Sequence, residues 1–103
     1  FWATWCPSCR KENAIFNQFV QKESNVLIVG ICIDKDPQAL GSYIKKTPLD
    51  FTVVNNTKPI AEQFTDIFAV PTHFIINTKT GVTTKTMGLI SLSDLKEYSQ
   101  RSQ

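Results

Sequence analysis

The segment Trp5-Cys6-Pro7-Ser8-Cys9 is the part of this sequence that most constrains its fold. Proline is well tolerated in the first turn of a helix, where its missing N–H has no intrahelical partner. From Pro7 onward, inward-facing residues recur at three- and four-residue spacing, which predicts an amphipathic helix over Pro7 to Lys22. The apolar stretch Phe1 to Thr4 indicates the end of a strand. The two cysteines therefore stand where a strand turns into a helix.

The rest of the chain alternates between strand-like and helix-like segments. The apolar run Val26 to Ile33 predicts a strand covered on both faces, as in a parallel sheet. Asp36 and Pro37 predict the start of a second helix, which Thr47-Pro48 ends. The remaining predicted elements are a short strand over Phe51 to Val54, a helix over Pro59 to Thr65, strands over Thr72 to Asn77 and Val82 to Met87, and a last helix beginning at Ser91. This order predicts one α/β domain over residues 1–103, with a central mixed sheet and helices on both faces.

Charge and hydropathy argue against two classes of partner. The formal net charge is +2 and the basic residues are dispersed, so we expect no nucleic-acid binding. No apolar run approaches the roughly 18 residues that a membrane span needs. Of the three cysteines, Cys32 stands alone inside the apolar run, and we expect it to be structural.

The spacing of Cys6 and Cys9 points to reversible disulfide chemistry. A two-residue spacer at a helix start brings the two sulfurs close together, and the helix N-terminus favours a thiolate at Cys6. The thiolate is the nucleophile, so we expect Cys6 to attack and Cys9 to resolve. The alternatives are two buried structural cysteines or part of a zinc site, which would have to recruit Cys32 and His73 from strands. We expect no metal, and no cofactor beyond the redox-active Cys6–Cys9 disulfide.

Glu12 lies on the inward-facing stripe of the predicted first helix, three residues after Cys9. A buried carboxylate is costly unless it is paired, and such groups cluster at active sites. We expect Glu12 to take the proton of Cys9 during resolution. The alternative is a partly exposed glutamate at the edge of the stripe.

His73 and the two tryptophans are less specific signals. Strand alternation places His73 on the same face as Pro71, where it would lie under the cysteine pair and tune the thiol pKa. A hydrogen-bonded core histidine is the favoured reading, because the sequence names no partner for it. We expect Trp5 to pack beside Cys6 and Trp2 to belong to the core.

Two segments carry a family resemblance. Phe1 to Glu12 resembles the active-site segment of thioredoxin-like proteins and is most similar to the TlpA branch, which includes the ResA and DsbE (CcmG) type. Phe68 to Asn77 resembles the second signature of that branch, and Gly88 fits as well. The resemblance covers nearly the whole chain. It departs from the pattern in lacking the first strand or strands, and in having His73 where a small or apolar residue is commoner.

The resemblance implies a thioredoxin-like fold with a cis peptide between Val70 and Pro71. It implies that the loop at Pro71 docks the substrate and keeps metal ions off the sulfurs. The expected substrate-binding residues are Trp5, Pro7, Ser8, Val70 and Pro71. The pattern of the TlpA branch also has a glutamate at the position of Glu12.

The function implied is that of a thiol–disulfide oxidoreductase that reduces or exchanges protein disulfides. Its partners would be protein dithiol or disulfide substrates and an upstream dithiol reductase, and we expect a monomer. The resemblance implies an extracytoplasmic location, in the bacterial periplasm or on the outer face of the membrane, with any anchor upstream of Phe1. Maturation of c-type cytochromes is the implied context.

Several alternatives stay open. The spacer Pro7-Ser8 contains no histidine of the sort found in strongly oxidising relatives, which favours a reductant without deciding the direction. A thiol peroxidase on the same fold would need a Pro-x-x-x-Thr-x-x-Cys pattern, which is absent. A tryparedoxin-like enzyme shares the Trp-Cys-Pro-x-Cys-Arg segment. A non-catalytic peptide-binding module would use the Pro71 loop alone.

Overall fold

Four helices and four strands follow one another in the predicted order in this computed structural model, which describes residues 1–64 and 67–101. The helices are α1 (Pro7–Val20), α2 (Pro37–Lys46), α3 (Lys58–Gln63) and α4 (Leu92–Arg101). The strands are β1 (Val29–Cys32), β2 (Thr52–Asn55), β3 (Thr72–Ile76) and β4 (Thr83–Met87).

The opening residues Phe1 and Trp2 bridge the two two-stranded sheets of the fold, β1–β2 and β3–β4, into one mixed array. Strands β1 and β2 are parallel, and β3 and β4 form an antiparallel hairpin. Trp2 lies parallel to β1, donating to the carbonyl of Ile31 at 3.0 Å and accepting from the N–H of Ile33 at 2.8 Å. On its other side, Phe1 exchanges two hydrogen bonds with Thr72 of β3. The resulting order is β2, β1, Phe1-Trp2, β3, β4, which confirms the predicted central mixed sheet.

The strand predicted over Val26 to Ile33 is shorter and less covered than expected. Strand β1 spans Val29–Cys32, and its burial alternates, with Gly30 and Cys32 buried. Val29 is 46% exposed and the preceding Leu27 is 81% exposed. The expectation of a strand covered on both faces is therefore wrong for this part of the sheet, because only the face of Gly30 and Cys32 packs fully into the core.

Other element ends differ from the prediction by one or two residues. Helix α1 ends at Val20 rather than Lys22, because the N–H groups of Lys22 and Glu23 both turn back to the carbonyl of Phe19. Strand β3 ends one residue early, since the Asn77 side chain accepts from the backbone of the following turn. Strand β4 starts at Thr83 and α3 at Lys58. The end predicted at Thr65 lies outside the described residues.

The main core cluster includes the paired cysteines. It joins the opening segment, α1, β1 and α2, and its buried members are Trp2, Ala3, Cys6, Cys9, Cys32 and Leu40. The expectation that Trp2 and Cys32 are core residues is confirmed. Helix α1 also packs against α4. None of the helices described is long and apolar enough to cross a membrane.

Candidate active site

Cys6 is held at the N-terminus of α1 by its own backbone and side chain. It is the N-cap residue, with an extended backbone, and Pro7 follows in the first turn as predicted. The N–H of Cys9 donates to the Cys6 sulfur at 3.2 Å. A donor in this position stabilises a sulfur that carries negative charge. Cys6 retains 5% of its surface and Cys9 none, so only Cys6 is open to attack from outside.

Cys9 lies behind Cys6 as a protonated thiol. Burial, reinforced by a hydrogen bond with Cys6, raises the pKa of Cys9 from 9.0 to about 12. Cys6, Cys9 and Cys32 are all free thiols. At neutral pH Cys9 therefore keeps its proton, and any reaction in which it becomes a nucleophile needs a group to receive that proton.

The loop that faces Cys6 carries the predicted cis peptide between Val70 and Pro71, which is confirmed. The Cys6 thiol donates to the carbonyl of Val70 over 3.7 Å, and Pro71 is buried. The carbonyl of Pro71 accepts from the N–H of Gly88 at 2.9 Å. Gly88 has a φ of 86°, a conformation that glycine adopts without a steric cost. The second signature segment and Gly88 thus meet at the cysteine pair.

Exposed residues lie next to Cys6 and Val70 in the chain. Trp5 is 63% exposed, and Pro7 and Ser8 are exposed beside it on the first turn of α1. Phe68, two residues before Val70, is 84% exposed. Aromatic rings exposed beside a nucleophile can contact an extended peptide. The binding roles of Trp5, Pro7, Ser8, Val70 and Pro71 stay predictions.

Glu12 is buried on the face of α1 that carries Cys9. It is 2% exposed, so the alternative of a partly exposed glutamate is wrong. One carboxylate oxygen, Oε2, accepts from the backbone N–H of Ile90 at 2.9 Å. The other, Oε1, lies 2.6 Å from Nε2 of His73. These two partners offset the loss of hydration that makes a buried carboxylate costly.

His73 is the hydrogen-bonded core histidine that the sequence favours, and its partner belongs to the site. Its Nδ1 lies 2.9 Å from Oγ1 of Thr86, which faces it across the β3–β4 hairpin. The ring of Phe16 meets the imidazole edge-on at 6.3 Å. The sequence does not predict the roles of Thr86 and Ile90. Thr86 reaches His73 through the strand register, and Ile90 contacts Glu12 through its backbone N–H.

A second polar cluster fixes the turn that leads into Cys6. Asp34, just after β1, accepts from the N–H of Thr4 at 2.9 Å, from the Thr4 hydroxyl, and from the Cys32 thiol at 3.3 Å. Burial acts to raise the pKa of Asp34, but these hydrogen bonds outweigh it and hold the pKa below its usual value. Burial raises the pKa of Cys32 to about 11. The sequence signal for this cluster is Asp34, an aspartate at the end of an apolar run.

Within residues 1–64 and 67–101, no three side chains of histidine, cysteine, aspartate or glutamate cluster closely enough to hold a metal ion. His73 is engaged by Glu12 and Thr86, and Cys32 by Asp34. The structure therefore does not bring Cys32 and His73 together with the cysteine pair as a four-ligand site.

Both the sequence and the backbone of this chain match known proteins. The thioredoxin-like family model matches residues 1–82. Sporulation thiol-disulfide oxidoreductase A of Bacillus subtilis is 28% identical over 105 residues, covering 97% of this chain and 64% of the relative. Thiol-disulfide oxidoreductase ResA of the same organism is 30% identical over 100 residues, covering 95% of this chain and 56% of the relative. The chain thus spans somewhat under two thirds of the length of these relatives.

A solved structure extends the likeness to the backbone. The thiol:disulfide interchange protein of Chlorobium tepidum TLS, described as a thioredoxin family protein, superposes with a TM-score of 0.88 at 25% identity. The match covers 99% of this chain and 75% of that structure. Because the thioredoxin-like family model matches residues 1–82, which is most of the chain, the chain belongs to the thioredoxin-like family.

Proposed function

We propose that this protein is a thiol–disulfide oxidoreductase that reduces or exchanges protein disulfides through Cys6 and Cys9. One arrangement carries the proposal. A sulfur at a helix N-terminus accepts a backbone N–H and retains surface, while a second, fully buried thiol lies one helical turn behind it. This arrangement divides nucleophilic attack and resolution between two residues.

The reaction follows from these positions. The Cys6 thiolate attacks one sulfur of a substrate disulfide, forming a mixed disulfide and releasing the other sulfur as a thiolate. Glu12 takes the proton of Cys9, and the Cys9 thiolate then attacks the Cys6 sulfur. The bond between Cys6 and the substrate breaks, and the substrate leaves as its second thiolate. Substrate gains two electrons, and the protein is left with a Cys6–Cys9 disulfide.

The surface beside Cys6 supports a protein substrate. An extended peptide can pair with the backbone at Val70, whose carbonyl already faces the Cys6 sulfur, and can contact the exposed ring of Trp5. Pro7 and Ser8 lie on the same exposed turn. We assign these residues and Pro71 to substrate binding.

The wider setting rests on the resemblance to the TlpA branch. We place the reaction outside the bacterial cytoplasm, with an upstream dithiol protein as the electron source and c-type cytochrome maturation as its context. The protein acts as a monomer in this proposal, and the Cys6–Cys9 disulfide is its redox group. The direction of electron flow is that of a reductant.

A trapping experiment tests the chemistry. In Cys9→Ala, resolution is blocked, so mixed disulfides with substrate proteins should accumulate and disappear on adding dithiothreitol. The matched controls are Cys6→Ala, which should form none, and Cys32→Ala, which should behave as the unchanged protein. If Cys9→Ala gives no covalent adduct while peptides still bind, the protein is a binding module rather than an oxidoreductase.

The reduction potential tests the direction. Titration of the Cys6–Cys9 pair with dithiothreitol, read by tryptophan fluorescence, should give a value near or below about −250 mV for a reductant. A value near about −120 mV would identify an oxidant and reverse the proposed electron flow.

A further inference from the structure

The Glu12 carboxylate is fixed by two donors of different kinds. The backbone N–H of Ile90 holds Oε2, and the ring of His73 holds Oε1 at 2.6 Å. The Ile90 N–H, which lies just before α4, binds one oxygen of the carboxylate, and the His73 ring, which belongs to β3, binds the other. A base clamped at both oxygens cannot rotate away from the helix face it shares with Cys9.

His73 is itself oriented by a third residue. Thr86 lies opposite it in the β3–β4 register, and the Thr86 hydroxyl contacts Nδ1 at 2.9 Å. A hydroxyl can donate to Nδ1, which leaves the proton of a neutral imidazole on Nε2, where it faces Glu12. The ring of Phe16 lies at 89° to the imidazole plane. The ring is therefore held so that its donor points at the carboxylate.

Glu12 must be ionised to accept the proton of Cys9, yet it is 2% exposed. Water cannot supply the hydrogen bonds that an ionised carboxylate needs at this depth. A charge-assisted hydrogen bond from an imidazole N–H supplies one of them and is among the stronger kinds in proteins. We propose that His73 is a positioning residue that holds the Glu12 carboxylate on the helix face it shares with Cys9, so that the two act as one base in the resolving step.

The balance of the step is simple. The thiol proton of Cys9 moves to the Glu12 carboxylate, the Cys9–Cys6 sulfur bond forms, and the bond from Cys6 to the substrate sulfur breaks. His73 keeps its own proton on Nε2 and stabilises Glu12 before the transfer. This inference depends on the proposed function, because it concerns only the second half of that reaction.

The charged and polar surroundings of the pair are few among the residues described. From α1 the pair meets Cys9, and from β4 it meets Thr86. These groups are unchanged when His73 is replaced, so a comparison of variants isolates the contribution of the imidazole.

The test uses dithiobis(nitrobenzoic acid), which separates the two halves of the reaction. Attack by Cys6 releases one thionitrobenzoate, and resolution by Cys9 releases the second, so stopped-flow absorbance shows two phases. In His73→Leu the first phase should be unchanged and the second should slow about tenfold at neutral pH, a fraction of the 10²–10⁴ that a general base contributes.

Two further variants separate positioning from packing. His73→Gln retains an N–H donor and should recover most of the second-phase rate. If His73 only filled space, leucine and glutamine would replace it equally well. Thr86→Val removes the hydroxyl at Nδ1, leaves the imidazole in place, and should slow the second phase by a smaller factor. It also provides the test if His73→Leu does not fold.

An unchanged second phase in the variants that fold would overturn the inference, as would equal losses in His73→Leu and His73→Gln. Either result leaves the first phase intact, so the oxidoreductase proposal would survive. Absence of the first phase in the unchanged protein would instead refute the proposed function.

Discussion

The buried thiol of Cys9 offers the sharpest quantitative prediction. Its surroundings raise its pKa from 9.0 to about 12, with burial as the largest cause. Three pKa units correspond to about 4 kcal/mol of preference for the neutral thiol. The thiolate fraction at neutral pH is therefore about a thousandfold below that of an ordinary cysteine, and the thiolate is the form that reacts.

Alkylation by iodoacetamide measures this directly in the Cys6→Ser variant, where a hydroxyl can still cap α1. Quenched samples analysed by mass spectrometry would give separate labelling rates for Cys9 and Cys32. The Cys9 rate should rise about tenfold per pH unit between about pH 7 and about pH 10 without reaching a plateau, because the thiolate fraction keeps rising over this range. The same variant unfolded in urea is the control, since burial is lost there.

Two results would refute the reasoning. One is a Cys9 rate that levels off near about pH 9, the range of an ordinary thiol. The other is equal labelling rates in the folded and urea-unfolded variant. Either would show that burial does not hold the proton on Cys9, and the need for a base at Glu12 would disappear.

Two further predictions concern the stability of the folded chain. Asp34→Ala should cost about 2 kcal/mol at neutral pH by removing charge-assisted hydrogen bonds to Thr4. Because the pKa of Asp34 is lowered in the fold, this stabilisation is present above the usual aspartate pKa of about 3.9 and is lost as the pH falls below it. Urea unfolding should therefore show a smaller loss of unfolding free energy in acid than at neutral pH. An equal loss at both pH values would contradict this. Gly30→Ala should destabilise by about 1–3 kcal/mol, since a Cβ there would lie 3.0 Å from the Phe51 ring, and an unchanged melting temperature would count against this packing.

Local sequence was sufficient for the elements nearest the cysteine pair. Pro7 at the first turn, the spacing of inward residues, and Cys6 at the N-cap are all set within one helix, so the start of α1 and the buried position of Glu12 could be predicted. The cis peptide at Pro71 came from the family resemblance rather than from the general frequency of such bonds. Capping and periodicity are short-range effects, so they can be predicted without knowledge of the rest of the fold.

The coverage of β1 shows where this reasoning fails. An apolar run predicts burial on both faces, but the run does not say which neighbours are present to bury it. In the structure, Gly30 and Cys32 pack inward while Val29 remains 46% exposed. Hydropathy describes what a residue can tolerate, and only packing decides how much of it is covered.

Sequence by itself determined the chemistry available to this protein: two thiols one helical turn apart at a helix start, and a carboxyl group one turn further along the same face. Tertiary structure alone decided which groups complete them. His73 is 61 residues from Glu12 and Ile90 is 78, and Thr86 reaches the imidazole only through the hairpin register. Helical spacing is fixed by local backbone geometry, whereas contacts between distant segments exist only once the sheet has brought them together.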